Sequence, residues 1–153
     1  MKAKTSILLI LALLWSSTSY ADLAQPTYAN IGGTSYHYDG YGRRWGFNES
    51  NPGTGVTWAE VETPVVGQVD WSVGWYKNSL GNDTVYVGFH KLPVEIGSAK
   101  VGVTAILASG YEWTILPIVA PTACWSHVCL LATPPIGKQL VGMVSAQFRY
   151  RLK

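Results

Sequence analysis

Between Val69 and Tyr76 the chain alternates: Val69, Trp71, Val73 and Trp75 are large and apolar, whereas Asp70, Ser72 and Gly74 are polar or small. This is the period of a β-strand, whose successive side chains point to opposite faces. A strand carrying tryptophans on one face must set that face against an apolar medium. The pattern returns where Val85, Val87 and Phe89 interleave with Thr84, Tyr86, Gly88 and His90, and again where Ala146, Phe148, Tyr150 and Leu152 interleave with Ser145, Gln147, Arg149 and Arg151. Arginines on the second face of the last strand are costly in lipid and sensible inside a lumen. After the first two dozen residues no helical period survives, and the longest apolar stretch, Val101 to Ala108, is far short of the roughly 20 residues a membrane-crossing helix needs. If this chain crosses a membrane, it crosses as strands.

The N-terminus carries an export pattern. Lys2 and Lys4 precede the apolar run Ile7 to Leu14, and Ser19-Tyr20-Ala21 offers small residues where a signal peptidase reads. Cleavage before Asp22 is expected, with an uncleaved anchor as the alternative; residues 22–153 then form one domain. Only 13% of residues are Asp, Glu, Lys or Arg, about half the share of a soluble globular protein. With 7 Trp and 9 Tyr, that balance suits a membrane interface, where amphipathic rings collect. A net charge of +2 with no basic stripe argues against nucleic acid as a partner.

Strand patterns separated by turn residues fall near Thr34–Tyr41, Gly53–Val61, Gln68–Lys77, Thr84–Leu92, Ala99–Ala108, Thr114–Ala120, His127–Thr133 and Leu140–Leu152. Eight such strands predict an all-β fold, an eight-stranded antiparallel up-and-down barrel, narrow enough to be filled by side chains or to hold one small ligand. Two versions compete. An outer-membrane barrel puts the apolar face outward; a soluble secreted barrel of the lipocalin or avidin kind puts it inward. The low charge and the Arg149/Arg151 face favour the membrane version.

Cys124 and Cys129, the only cysteines, are separated by Trp125-Ser126-His127-Val128. In an oxidising envelope an even pair across a tight hairpin reads as a disulfide. Zinc is the rival, with His127 between the thiols, but no fourth ligand lies nearby. His90 reads as a lumen residue, and no metal or cofactor is expected. Gly74, Gly88, Gly102 and Gly142 lie on strand patterns, either leaving interior room or easing curvature.

The run from Phe47 through Asn48-Glu49-Ser50-Asn51-Pro52-Gly53 to Val56, then Tyr76-Lys77-Asn78-Ser79, Gly102 to Ala105, Leu116 to Pro121 and Thr133-Pro134-Pro135, resembles in order and spacing the outer-membrane lipid A palmitoyltransferases. The resemblance spans about Tyr36 to Tyr150. It implies an eight-stranded outer-membrane barrel, a monomer, that moves a palmitoyl chain from a phospholipid to lipid A. It further implies that His37 and Ser79 are catalytic. Asn78 stands where the family has Asp, and the family's N-terminal surface helix has no counterpart in the pattern here. An amide at 78 can orient a ring nitrogen or donate to an oxyanion, but it carries no charge and takes up no proton. A noncatalytic envelope barrel is the competing reading.

Barrel geometry points to the same residues. Odd-numbered strands of an up-and-down barrel run the same way, so the ends of the first and third strands meet at one rim. That places His37, Tyr41, Asn78 and Ser79 together, and a His within reach of a Ser is the minimum for a base-activated hydroxyl. Pro117 and Pro135 lack ladder donors and are expected to flank a gap between the sixth and seventh strands, which in the family admits lipid sideways; a strand start and a loop are the ordinary positions for the same prolines.

Overall fold

The computed structural model describes residues 25–38, 46–111, 115–135 and 142–152. The expected signal segment, Met1 to Ala21, lies outside the described residues, as do Tyr41 and residues 136–141. Eight strands form: β1 Tyr28–His37, β2 Gly53–Thr63, β3 Gly67–Lys77, β4 Asp83–Ile96, β5 Ala99–Ala108, β6 Leu116–Trp125, β7 Val128–Thr133 and β8 Met143–Arg151. Each pairs antiparallel with the next, and β8 returns to β1 to close the barrel. Closure removes the two free edges that an open sheet presents.

The first strand begins six residues before the expected Thr34. Gly32 and Gly33 suggest a turn in sequence, yet both lie inside β1, at the irregularity where its register with β8 shifts between Gly32 and Thr34. Close backbone approach explains them: a Cβ on Gly32 would sit 2.4 Å from the Asn51 carbonyl oxygen, and one on Gly33 would sit 2.2 Å from that of Ala146. β4 continues past Leu92 because Pro93 falls where the β4–β5 register shifts, between Lys91 and Val94, a position at which a missing N–H is tolerated. β6 likewise runs on through Pro121 to Trp125. Val69 is buried opposite Val61, just past the register shift between Trp58 and Val61, so the alternation of β3 does not extend to its first turn.

The barrel is polar inside and apolar outside. Ile31, Trp75, Val85, Val103, Val119, Leu130, Val144 and Phe148, drawn from seven strands, are exposed; Val119 reaches 63% and Val85 59%. Asn30, Thr57, Ser72, His90, Thr104 and Thr122 are buried. Their polar atoms satisfy one another, as burial requires. Asn30 Nδ2 donates to Thr57 Oγ1 (2.8 Å), Thr57 Oγ1 to Ser72 Oγ (3.2 Å), and Gln147 Nε2 to the Tyr86 hydroxyl (3.2 Å), itself 3.4 Å from Ser72 Oγ. A second chain joins His90 Nδ1, Thr104 Oγ1 and Thr122 Oγ1 through two contacts of 2.6 Å. His90 is therefore an interior residue held by hydroxyls. The strand glycines do not leave room: a Cβ on Gly74, Gly88 or Gly102 would strike a carbonyl oxygen of the neighbouring strand, at 2.5, 2.2 and 1.9 Å.

Cys124 and Cys129 are directly opposite in the β6–β7 ladder and form a disulfide. They sit beside the hairpin turn at Ser126-His127, at the rim away from the ends of β1 and β3. The loop they close is short, so chain entropy accounts for only about 2 kcal/mol. Replacing both by Ser is expected to lower stability by about that amount and to leave the barrel folded. Urea unfolding of both forms in detergent checks this, alongside thiol labelling of the unreduced, denatured protein, which should find no reactive thiol.

Candidate active site

β1 and β3 both end at one rim, and the residues at their ends come together there. His37 closes β1 and is 2% exposed. Ser79 follows β3 in the turn leading to β4. His37 Nε2 lies 3.1 Å from Ser79 Oγ, within hydrogen-bonding distance. The hydroxyl has one proton and a second acceptor nearby, Met143 Sδ at 3.7 Å. Phe47 packs against the imidazole, with ring centroids 5.3 Å apart.

Asn78 is fully buried but serves another purpose. Its Nδ2 donates to Thr84 Oγ1 (3.0 Å) and to the Gly110 carbonyl (2.9 Å), while its Oδ1 accepts from the amides of Leu80 (2.9 Å) and Asn82 (3.0 Å). Both amide protons and the oxygen are thus engaged within the turn and with the β5 end, and this network fixes the backbone from which Ser79 projects. The structure brings His37 and Ser79 together, and it commits Asn78 to the scaffold beneath them.

A cavity of about 130 Å³ opens beside Ser79. Near the rim its walls include Tyr76, Ile106, Ile118, Leu131 and Met143, and it reaches down to His90, Thr104 and Gln147 among the buried polar groups. His90 lies six residues along β4 from Thr84 at the rim end, about 20 Å at roughly 3.3 Å per residue. The space is therefore elongated, and apolar and polar side chains share its walls near the reacting groups, where Ser35, Asn51 and Thr133 also line it.

The β6–β7 ladder is short, four residue pairs, as many as join β1 to β2. β6 pairs with β5 along its whole length, from Leu116 to Cys124, but with β7 only from Thr122 to Trp125. The rim half of β6 is left without a β7 partner. Pro117 lies in that unpaired half and Pro135 just beyond the end of β7; both are exposed. Pro121 stands at the residue before pairing resumes. Pro117 and Pro121 have the same parity along the strand, so they withhold N–H donors from the same edge.

Glu49 joins the site through the main chain around it. The chain before β2 continues alongside β1 as an irregular extension: Thr34 and Ser50 form a bridge, Ser35 N donates to the Glu49 carbonyl (2.9 Å) and Asn51 N to that of Gly33 (3.0 Å). Glu49 Oε1 consequently lies 3.7 Å from His37 Nδ1. No periodicity marks this segment, so no sequence signal singled it out. Compared with protein-family models and with curated proteins, the chain matches none.

Proposed function

We propose that this protein is an outer-membrane acyltransferase that moves a fatty-acyl chain from a phospholipid to lipid A. The observation that carries the reading is the 3.1 Å contact of His37 Nε2 with Ser79 Oγ at the mouth of an elongated cavity. The membrane placement is supported by the exposed apolar side chains and the buried polar ones, the reverse of what a soluble lipid carrier requires. Strands of 9 to 11 residues such as β1, β2, β3 and β8, tilted by about 45°, stand about 24 Å high, which matches the apolar band of such barrels.

The chemistry follows from the pair. His37 Nε2 takes the Ser79 hydroxyl proton as Oγ attacks the ester carbon of a phospholipid acyl chain. The tetrahedral adduct collapses when His37 returns that proton to the departing glycerol oxygen, leaving the acyl chain on Ser79 and releasing lysophospholipid. A lipid A hydroxyl then attacks the acyl-serine, its proton passing to His37 and on to Ser79 Oγ. The apolar part of the cavity holds the chain through both steps, and the unpaired stretch between β6 and β7 offers it a lateral path from the bilayer. Donor and acceptor are both membrane lipids, so the whole reaction fits a site at the rim of a membrane barrel.

Placement is tested by fractionation and by heat-dependent migration on a gel. The protein is expected in the outer-membrane fraction, resisting detergent until boiled, because a closed barrel keeps its backbone hydrogen bonds internal. Recovery in the soluble periplasmic fraction without a migration shift contradicts the membrane reading. The activity is tested with purified protein in detergent, phospholipid labelled in its acyl chain and lipid A: labelled lipid A is the expected product.

A further inference from the structure

A serine attacks through a neutral histidine only if the ring nitrogen facing it is unprotonated, which requires the other nitrogen to carry the proton. Some group must hold His37 in that tautomer and offset the positive charge that develops on it. Asn78 does neither, since its amide is bound to Thr84, Gly110, Leu80 and Asn82. We propose that Glu49 is the positioning carboxylate of this site, facing His37 Nδ1 while Ser79 faces Nε2. The inference rests on the acyl-transfer reading for its consequence, though not for its geometry.

Glu49 Oε1 lies 3.7 Å from His37 Nδ1 and accepts a hydrogen bond from the His37 backbone N at 3.3 Å. One oxygen therefore engages the main chain and approaches the ring of the same residue. The distance to Nδ1 is longer than a hydrogen bond, and catalytic contacts of this kind commonly tighten when substrate is bound. The position of Glu49 is built rather than incidental. Its carbonyl accepts from Ser35 N (2.9 Å) and Thr34 Oγ1 (2.7 Å), anchoring its backbone to β1. The Phe47 ring, packed against the imidazole at 5.3 Å between centroids, limits how the histidine turns. Serine, histidine and carboxylate thus come from the β3–β4 turn, β1 and the extension before β2, three segments that converge only when the barrel closes.

Glu49→Gln separates charge from shape, because the amide oxygen still accepts from the His37 backbone and the carbonyl contacts of residue 49 are untouched. The Glu49 side chain is 49% exposed, so its field is partly screened. We expect a fall in kcat of about 10- to 100-fold, less than the about 10⁴-fold loss for a buried triad carboxylate, with KM for phospholipid unchanged. The independent readout is nitrogen-15 NMR of the histidine rings of the full chain in detergent micelles, with His37→Gln assigning the signal. The neutral ring of His37 is expected as the Nδ1–H tautomer, and Glu49→Gln is expected to move its Nδ1 resonance. A predominant Nε2–H tautomer, an unmoved resonance, or an unchanged kcat in an active enzyme overturns the proposal. Should the parent protein transfer no acyl chain while the resonance still responds to Glu49→Gln, the pairing stands and the acyltransferase reading falls.

Discussion

Ser79→Ala and His37→Ala are each expected to reduce acyl transfer by at least about 10³-fold, and the double variant to be no worse than either alone, because groups that act as one unit are not additive. The expectation follows from the 3.1 Å Nε2–Oγ contact: without the hydroxyl there is no nucleophile, and without the ring its proton has no acceptor. Both side chains lie at strand ends and neither belongs to the buried networks that span the lumen, so both variants should keep the heat-dependent gel shift. Transfer from labelled phospholipid to lipid A, measured in detergent for the parent, the two single variants and the double, is the check. Undiminished transfer by both single variants rules out this site, and losses that multiply in the double variant show that the two residues act separately.

Asn78→Ala should be the most damaging substitution for stability at the rim. It removes four hydrogen bonds and leaves the Gly110 carbonyl and the Leu80 and Asn82 amides without Asn78 as a partner. The Gly110 carbonyl keeps a donor in Asn82 Nδ2 (3.1 Å) and the two amides lie in an exposed turn, so the loss is that of the hydrogen bonds themselves, about 2 kcal/mol, and transfer falls with it because the turn carrying Ser79 loosens. Asn78→Asp is the informative contrast. From sequence alone the outcome is open: activity rises if a carboxylate is what this chain lacks, and falls if the amide donates to an oxyanion. The geometry selects a fall: the new carboxylate keeps the two backbone donors and can accept a hydrogen bond from the Thr84 hydroxyl, but it faces the Gly110 carbonyl, which repels it, and it is buried. Asn78→Asp should therefore lower both the urea midpoint and the transfer rate, by less than Asn78→Ala does. A rate above the parent's would show that position 78 supplies charge to the reaction.

The parts of this molecule that were legible in sequence are those governed by a period or by a covalent pair. Alternation in Trp71–Tyr76, Thr84–His90 and Ser145–Leu152 marks faces, faces mark strands, and eight strands close into the observed barrel; Val69, buried beside the β2 register shift, departs from it. Cys124 and Cys129 have a single possible intrachain partner each, and they are bonded. The start of β1 was not legible, because Gly32 and Gly33 are needed for contacts with Asn51 and Ala146, distant in sequence, and locally they look like a turn. Nor was the work of Asn78, since a side chain bound to the backbone of its own turn and to Gly110 leaves no periodic trace. Glu49 was hidden for the same reason: it reaches His37 from an irregular segment whose path is set by pairing with β1.

The most direct test of the central claim, that Ser79 and His37 transfer an acyl chain to lipid A, is mass spectrometry of lipid A from Gram-negative cells lacking an acyltransferase of this kind. Cells producing the parent protein, cells producing Ser79→Ala at equal outer-membrane level, and cells with neither are compared. Lipid A heavier by one fatty-acyl chain is expected with the parent protein alone. Identical lipid A in all three, with the parent barrel folded in the outer membrane, would contradict it.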